Sequence, residues 1–171
     1  MEKPVFIMDL DGVLTDGCFL YDVNGKAYKQ FGPDDADALK LIKDDVELVF
    51  VSADHRGFPI SQKRINDMGY QLNLVKTAER FDWIKERFVL ENVIYMGDSF
   101  VDLPIFQKIW QHKGHCITTN DCFYLVKDFS CISYVTHHDG GKRAVADAVF
   151  WIAKTFLNKD IFDLLKLDKG V

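Results

Sequence analysis

The chain has few of the residues that hold small extracellular domains together. It contains only four cysteines among 171 residues, and none of them forms a C-x-x-C pair. This spacing indicates neither a disulfide framework nor a zinc site, so we expect reduced thiols and a cytoplasmic location. The opening residues also lack the charged-then-apolar pattern of a signal peptide.

Long apolar runs and blocks of positive charge are missing as well. The longest apolar segments have the length of a strand, so we expect no membrane-spanning segment. A net charge of -5 without a basic block argues against nucleic acid as a partner. Hydrophobic residues make up 48% of the chain, which predicts one domain over residues 1–171 with its own core.

The first apolar run ends in two carboxylates. Residues 5–8 are hydrophobic, and Asp9 and Asp11 follow before Gly12. This pattern predicts a buried strand that ends at a polar loop. One carboxylate can attack an electrophile such as phosphorus, the other can transfer protons, and a divalent cation would offset their repulsion. The alternative is a loop whose aspartates only cap its own turn.

The segment after this strand has a different pattern. Asn24 and Gly25 separate two short runs rich in aromatic residues, which predicts a β-hairpin with a type I′ turn over about residues 18–31. The aromatic surface of such a short hairpin needs a partner, so we expect it to hold an oligomer together. The apolar residues of the tail, about residues 158–171, form an amphipathic stub that docks on this chain or on another.

The rest of the chain alternates between strand and helix patterns. Strands are predicted at residues 46–51, 70–75, 92–96, 115–118 and 131–135. Helices are predicted from residue 34 onward, with Thr77 as one N-cap, and at residues 60–68, 103–110, 121–127 and 143–157. This order predicts an α/β fold with a Rossmann-like parallel sheet, helices on both faces and the hairpin protruding after the first strand.

Polar residues follow several of the predicted strands. Ser52 ends the second strand, and Asp98 and Asp102 follow a later one, after Gly97. Lys76 precedes one helix and Arg80 lies in its first turn. Because the carboxyl ends of parallel strands meet at one edge of the sheet, we expect these side chains to converge on one crevice.

This ordered set resembles the haloacid dehalogenase superfamily. The resemblance implies Mg²⁺-dependent phosphoryl transfer with Asp9 as nucleophile and Asp11 as acid and base. It also implies metal binding by Asp9, Asp11, Asp98 and Asp102, and phosphate binding by Ser52 and a basic residue. Lys76 is the first candidate for this basic residue, and Arg80 is the alternative.

Within the superfamily, the chain is similar to the capless 3-deoxy-D-manno-octulosonate 8-phosphate phosphatases and their nonulosonate 9-phosphate relatives. The shared segments are residues 9–17, the Asn24-Gly25 hairpin, Tyr28-Lys29-x-Phe31 and residues 140–145. The resemblance implies a homotetramer whose subunits help to close each other's sites, and a small phosphorylated sugar as substrate.

The chain departs from that family at two entrance positions. Asp54 stands where the family has an arginine, and Asp34 and Asp35 replace a further arginine. These changes predict weaker binding of a sugar acid carboxylate and a preference for a neutral-headed or amine-bearing sugar phosphate. Three residues near the entrance are candidates to restore the charge: Arg56, Lys142 and Arg143.

Two other functions compete with a phosphatase. The altered entrance is compatible with a catalytically weak assembly or regulatory module of a sugar pathway, for which the paired aspartates would be unnecessary. A phosphomutase would have to exclude water from its phosphorylated aspartate, and the sequence shows no lid. Hydrolysis of a phosphate ester is therefore the function that the sequence favours.

Overall fold

A computed structural model describes residues 3–168 of the chain. Six parallel strands form the main sheet in the order β5-β4-β1-β6-β7-β8, and β2 and β3 form a separate antiparallel hairpin. The strands are β1 (Val5–Asp9), β2 (Leu20–Asp22), β3 (Gly25–Tyr28), β4 (Glu47–Ser52), β5 (Leu72–Leu74), β6 (Val93–Gly97), β7 (His115–Thr118) and β8 (Tyr134–Val135).

Helices cover both faces of the main sheet, as predicted. They are α1 (Asp35–Ile42), α2 (Phe58–Asp67), α3 (Thr77–Lys85), α4 (Leu103–Gln111), α5 (Tyr124–Lys127), α6 (Ala144–Phe156) and α7 (Ile161–Leu165), with two short 3₁₀ turns at Leu90–Asn92 and Phe100–Asp102. None of the helices within residues 3–168 is long and apolar enough to cross a bilayer.

Strand β1 lies at the centre of the molecule because both of its faces are apolar. Phe6 and Met8 belong to the core cluster shared with α1, α2 and α6. Val5 and Ile7 point to the other face and belong to the cluster shared with α3, α4 and α5. The continuous hydrophobic run at residues 5–8 is therefore explained by burial on two sides.

The strand order places a topological switch point beside β1. From β1 the chain moves outward to β4 and then to β5, and it returns to β6 on the opposite side of β1. In sheets of this kind, the loops diverge at the switch point and leave a crevice beyond the carboxyl ends of the strands. Asp9 ends β1 and Asp98 follows β6, so the two residues lie on either side of this crevice.

The hairpin is present, but its turn is not the predicted type I′. Gly25 has a φ of 122°, whereas Asn24 does not have a positive φ, and a type I′ turn requires both. The backbone N–H of Asn24 instead donates to Oδ1 of Asp22 at 2.7 Å, so an aspartate side chain shapes the turn. The paired strands are also shorter than the predicted aromatic runs.

Two other predicted elements are shorter because loop contacts replace regular structure. Helix α5 begins at Tyr124, since Asp121 accepts a hydrogen bond from the backbone of Gly140 at 2.9 Å and holds a loop. Strand β8 has only two residues, Tyr134 and Val135. At the start of α3 the N-cap residue is Lys76, and Thr77 is the first helical residue.

The tail forms the short helix α7 and docks only partly on this chain. Leu164 packs against the core, and Lys159 forms an ion pair with Asp45 at 2.6 Å. Four apolar residues remain exposed: Ile161, Phe162, Leu165 and Leu167. Of the predicted tail, residues 169–171 lie outside the described part of the chain.

Candidate active site

Three aspartates meet at the switch point. The carboxylates of Asp9, Asp98 and Asp102 each offer an oxygen, and these oxygens all lie within 4.8 Å of one another. We call these three residues the acid cluster. Its members come from the end of β1, from the residue after β6 and from the turn before α4, which explains why they are distant in sequence.

Two glycines make room for the acid cluster. Gly12 has a φ of +81°, and a Cβ atom at this position would lie 2.0 Å from Oδ2 of Asp98. A Cβ atom at Gly97 would lie 2.7 Å from the carboxylate carbon of Asp102. Any larger residue at either position would push a carboxylate out of the cluster.

Asp102 is fixed by hydrogen bonds from two directions. The Tyr95 hydroxyl donates to its Oδ1 at 2.7 Å, and the backbone N–H of Ser99 donates to its Oδ2 at 3.1 Å. Both Tyr95 and Asp102 are fully buried. The carboxylate of Asp102 therefore has one orientation, which faces Asp9.

Electrostatic repulsion and burial make the acid cluster suited to a cation. Burial, together with the nearby Asp102 and Asp9, raises the pKa of Asp98 to about 8. Burial and Asp9 likewise raise the pKa of Asp102 to about 6. A bound cation would relieve this repulsion, and carboxylate oxygens are the ligands that Mg²⁺ prefers. The residues of the acid cluster thus fit the predicted Mg²⁺ ion.

Asp11 does not join the acid cluster, although the sequence resemblance assigned it to the metal. Its carboxylate instead forms an ion pair with Lys29 of the hairpin at 2.7 Å. Lys29 also contacts Asp54 at 2.8 Å and Ser61 at 3.0 Å, and Lys26 contacts Asp54 at 2.7 Å. We call Asp11, Asp54, Lys26 and Lys29 the lysine-bridged group.

The two carboxylates of the lysine-bridged group titrate differently. Burial raises the pKa of Asp11, even though the hydrogen bond from Lys29 lowers it in part. Burial also acts on Asp54, but hydrogen bonds from Lys26, Lys29 and the backbone of Gly57 outweigh it and lower the pKa of Asp54 to about 2. Asp54 is therefore a firmly ionised anchor for both lysines.

Ser52 lies at the carboxyl end of β4, next to β1. Its side chain is buried, and its Oγ accepts a hydrogen bond from the backbone N–H of Asp54 at 3.1 Å. The backbone N–H of Val75 donates to the carbonyl of Ser52 at 2.9 Å. This bond brings the backbone of the following residue, Lys76, close to Ser52.

The two rival cations of the sequence analysis occupy different environments. Lys76 is 80% exposed at its side chain, and its Nζ contacts Oε1 of Glu79 at 3.1 Å rather than the acid cluster. Arg80 is 1% exposed, and its Nη1 lies 2.9 Å from Oδ2 of Asp9 and 3.6 Å from Oδ1 of Asp102. The structure therefore joins Arg80, and not Lys76, to the nucleophile candidate.

Three of the candidate entrance residues, Asp34, Lys142 and Arg143, form ion pairs within the chain. Arg143 contacts Asp34 at 2.5 Å, and Lys142 contacts Asp139 at 3.3 Å. Asp35 does not face the entrance, because it is buried and its Oδ1 accepts from the backbone N–H of Ala146 in the first turn of α6. Arg56 is exposed on the loop after β4.

These contacts remove the electrostatic basis of the predicted preference for a neutral substrate. That prediction treated Asp54 and Asp34 as free negative charges at the entrance. Both are paired with cations of the same chain, Asp54 with two lysines and Asp34 with Arg143. Neither aspartate therefore presents an unbalanced charge to a substrate carboxylate.

Sequence reasoning missed three residues of the site: Lys26, Lys29 and Tyr95. Lys29 lies in the Tyr28-Lys29-x-Phe31 segment, but its spacing does not show that its side chain is fully buried against Asp11. Tyr95 lies inside an apolar strand, where a tyrosine is expected as a packing residue. A buried hydroxyl needs a hydrogen-bond partner, so a tyrosine inside a buried strand was the signal that could have identified Tyr95 as a site residue.

Comparisons with known proteins identify the class to which this fold and site belong. No protein-family model matches the chain. A protein of Haemophilus influenzae named 3-deoxy-D-manno-octulosonate 8-phosphate phosphatase KdsC is 34% identical over 170 residues, which cover 95% of this chain and 90% of the relative. The protein of the same name from Escherichia coli K12 is 27% identical over 97% of this chain and 80% of its own length.

Solved structures share the fold. The cobalt-bound deoxy-D-mannose-octulosonate 8-phosphate phosphatase of Haemophilus influenzae matches with a TM-score of 0.75 and 32% identity, over 89% of this chain and 88% of that chain. The Moraxella catarrhalis phosphatase, solved with magnesium, phosphate and KDO, matches with a TM-score of 0.74 over 91% and 88%, and its 23% identity supports the fold alone.

The chain belongs to the 3-deoxy-D-manno-octulosonate 8-phosphate phosphatase family of the haloacid dehalogenase superfamily. The superfamily and the α/β fold predicted from the ordered aspartates are thereby confirmed.

Proposed function

We propose that this chain is a Mg²⁺-dependent phosphatase that hydrolyses a small sugar phosphate resembling 3-deoxy-D-manno-octulosonate 8-phosphate. The observation that carries the proposal is the acid cluster, which brings Asp9 together with Asp98 and Asp102 at the switch point. The family relationship supports the same chemistry, since the Haemophilus relative bears the name of that phosphatase.

In the first step, Asp9 attacks the phosphorus of the substrate. A bond forms between a carboxylate oxygen and phosphorus, the bond from phosphorus to the sugar oxygen breaks, and Asp11 gives its proton to the departing oxygen. In the second step, Asp11 takes a proton from water, whose oxygen attacks phosphorus and frees Asp9. When bound, Mg²⁺ supplies positive charge that offsets the repulsion between Asp9 and the phosphate.

Lys29 gives Asp11 a fixed position for both proton transfers. Its Nζ contacts both carboxylate oxygens of Asp11, at 2.7 and 2.9 Å, and its side chain is completely buried. The hairpin therefore contributes directly to the arrangement of the acid and base. In this proposal, a change in the hairpin alters catalysis as well as assembly.

The phosphate group would be held by Ser52 and Lys76. Ser52 lies at the end of β4, and the bond between Val75 and Ser52 places the backbone of Lys76 beside it. The contact between Lys76 and Glu79 is an exposed ion pair, which is worth at most about 1 kcal/mol. A phosphate dianion can therefore take the place of Glu79 at little cost.

The substrate class follows from the charges at the entrance. Because Asp54 and Asp34 are neutralised within the chain, we assign the substrate a carboxylate, as in the substrate for which the relatives are named. Arg56 is the residue that would bind it, since its exposed side chain lies on the loop that follows Ser52.

The proposal is tested with a panel of sugar phosphates in the presence of Mg²⁺. We expect 3-deoxy-D-manno-octulosonate 8-phosphate to give a higher kcat/KM than a neutral hexose phosphate, with the difference reduced in Arg56→Ala. Lys63→Ala, which removes an exposed cation of α2 outside this loop, is the matched control. A higher kcat/KM for the neutral substrate would contradict the assigned carboxylate but not the phosphatase activity.

The competing function is a weakly active assembly module. It was suggested by the aspartates at positions 34 and 54, which the structure pairs with cations of the same chain. Hydrolysis of a generic aryl phosphate that depends on Mg²⁺ would exclude this alternative. An absence of turnover with every phosphate ester, despite Mg²⁺ binding, would favour it over the phosphatase.

We further propose that the chain is one domain that assembles into a homotetramer in the cytoplasm. The hairpin supports the assembly, because Leu20, Tyr21, Val23 and Tyr28 are each at least 59% exposed. Four free cysteines support a reducing compartment. Sedimentation of wild-type protein and of Leu20→Asp tests the assembly, and a wild-type monomer at micromolar concentration would exclude it.

A further inference from the structure

Arg80 has an environment that does not suit the phosphate-binding role considered for it. It projects from α3 into the face of the sheet that is covered by α3 and α4, and its side chain is 1% exposed. The side chain of Asp9, which it contacts, is 15% exposed, so solvent reaches the carboxylate but not the guanidinium. A substrate phosphate that arrives from solvent would therefore meet Asp9 and not Arg80.

Only one nitrogen of Arg80 makes polar contacts. Nη1 donates to the Tyr95 hydroxyl at 2.7 Å and lies 2.9 Å from Oδ2 of Asp9, whereas the buried Nε and Nη2 have no hydrogen-bond partner among the described residues. Leaving two donors of a buried cation unsatisfied costs free energy. A side chain that served only to pack would not be an arginine at this position.

The number of charges gives a reason for the arginine. When ionised, the acid cluster carries three negative charges, and the single positive charge of Arg80 leaves two. One divalent cation balances that remainder. Without Arg80, a bound divalent cation would leave one negative charge facing an incoming phosphate dianion.

We propose that Arg80 is a positioning residue that acts as a permanent counter-cation. It holds the carboxylates of Asp9 and Asp102 together in the metal-free protein, and its charge opposes that of the divalent cation at the same cluster. This inference rests on the metal site of the proposed function, but it concerns the metal-free state and the affinity for Mg²⁺ rather than turnover.

The first test is the stability of Arg80→Met with and without metal. In EDTA, we expect its Tm to lie about 5 °C or more below that of the wild type, since the carboxyl groups of Asp9 and Asp102 then face each other without any cation. Saturating Mg²⁺ should restore most of that loss. If Arg80 only filled space, the apolar methionine would be neutral or stabilising in EDTA, because it removes the two unsatisfied donors.

The second test is the dissociation constant of Mg²⁺, measured by calorimetry without substrate. Removing one positive charge beside the cluster should tighten Mg²⁺ binding by about tenfold in Arg80→Met. Arg80→Lys should bind Mg²⁺ within about threefold of the wild type, because a single nitrogen makes the polar contacts and a point charge can replace it. Arg87→Met, which removes an exposed arginine just beyond α3, should change neither measurement.

Each outcome decides the proposal. An unchanged Mg²⁺ affinity in Arg80→Met, or weaker binding, would overturn it. So would failure of Arg80→Met to fold in saturating Mg²⁺, because the ion would then be unable to replace the guanidinium. If the wild-type protein bound Mg²⁺ but had no phosphatase activity, the proposed function would be wrong. The comparison of stability and Mg²⁺ affinity between wild type and Arg80→Met would still test the role of Arg80.

Discussion

The two groups of charged residues at the carboxyl edge of the sheet are balanced in different ways. The three carboxylates of the acid cluster have one guanidinium beside them, that of Arg80, whereas the lysine-bridged group has two carboxylates and two ammonium groups. The second group is neutral within the chain and needs no ion. The first is left negative, and we attribute this difference to its need for Mg²⁺.

The difference also separates the roles of two aspartates that are only two residues apart. Asp9 contacts Arg80 and belongs to the acid cluster, whereas Asp11 contacts Lys29 of the hairpin. In the proposed mechanism Asp9 attacks beside the metal site, whereas Asp11, whose pKa is raised by burial, is held by Lys29 for proton transfer. Changes that break one group and spare the other test this division.

The largest effect is expected for Asp9→Asn. An amide cannot form the covalent intermediate, so kcat should fall by about 10³-fold or more. The measurement is hydrolysis of an aryl phosphate in saturating Mg²⁺. Asp44→Asn, at an exposed position after α1, is the control and should retain wild-type activity. Full activity in Asp9→Asn would remove Asp9 from the role of nucleophile.

The next largest effect is expected for Lys29→Met. This change leaves Asp11 and Asp54 without their shared partner in a half-buried site, so the free energy of unfolding should fall by about 3 kcal/mol. EDTA should not alter the size of that loss, because the carboxylates of the lysine-bridged group are paired with ammonium groups rather than with the acid cluster. Chemical denaturation of Lys29→Met and Lys26→Met measures it, and the Lys26 variant should lose less, since Asp54 keeps its ion pair with Lys29.

Asp35 extends the comparison to a buried carboxylate that is held by a helix end instead of a lysine. Burial raises its pKa to about 6, against a hydrogen bond from Ala146 that lowers it. The folded protein therefore holds this proton more tightly than the unfolded chain does. The stability that this provides is fully present below pH 3.8 and is lost as the pH rises through about 6.

We expect the difference in unfolding free energy between wild type and Asp35→Asn to change by about 2 kcal/mol between pH 4 and pH 7. The wild type should lose stability relative to the variant as the pH rises, because asparagine does not titrate. Chemical denaturation at several pH values measures this difference. If the difference in unfolding free energy stayed constant over that range, the start of α6 would stabilise the ionised carboxylate of Asp35 as well as the lysines stabilise that of Asp54.

The smallest effect is expected for Asp98→Asn in EDTA. Removing one of three adjacent carboxylates relieves repulsion, so the metal-free variant should be more stable than the wild type by about 1 kcal/mol. Mg²⁺ should then stabilise the variant much less than it stabilises the wild type. Thermal unfolding with and without Mg²⁺ gives both quantities, and an unaltered Mg²⁺ response would place the ion elsewhere.

Local patterns were sufficient to predict the elements that carry strong hydrophobic signals. The apolar runs of β1, β4 and β6 and the alternation of strands with helices predicted the parallel sheet and the edge at which the aspartates meet. The type I′ turn was wrong because Asp22 provides a competing side-chain contact that a propensity for Asn-Gly does not include. The helix predicted from Asp121 is present but begins only at Tyr124 for a similar reason, since Asp121 bonds to a loop that lies 19 residues away.

The sequence by itself determined the order of the aspartates along the chain, the buried strands that precede them and, through these, the superfamily. Only the tertiary structure decided which cationic side chain forms an ion pair with which carboxylate. Lys29 comes to Asp11 from a hairpin 18 residues away, and Arg80 comes to Asp9 from a helix on the far face of the sheet. Hydrophobic periodicity acts over a few residues, whereas a charge pairs with whatever the packed fold brings within a few ångströms of it.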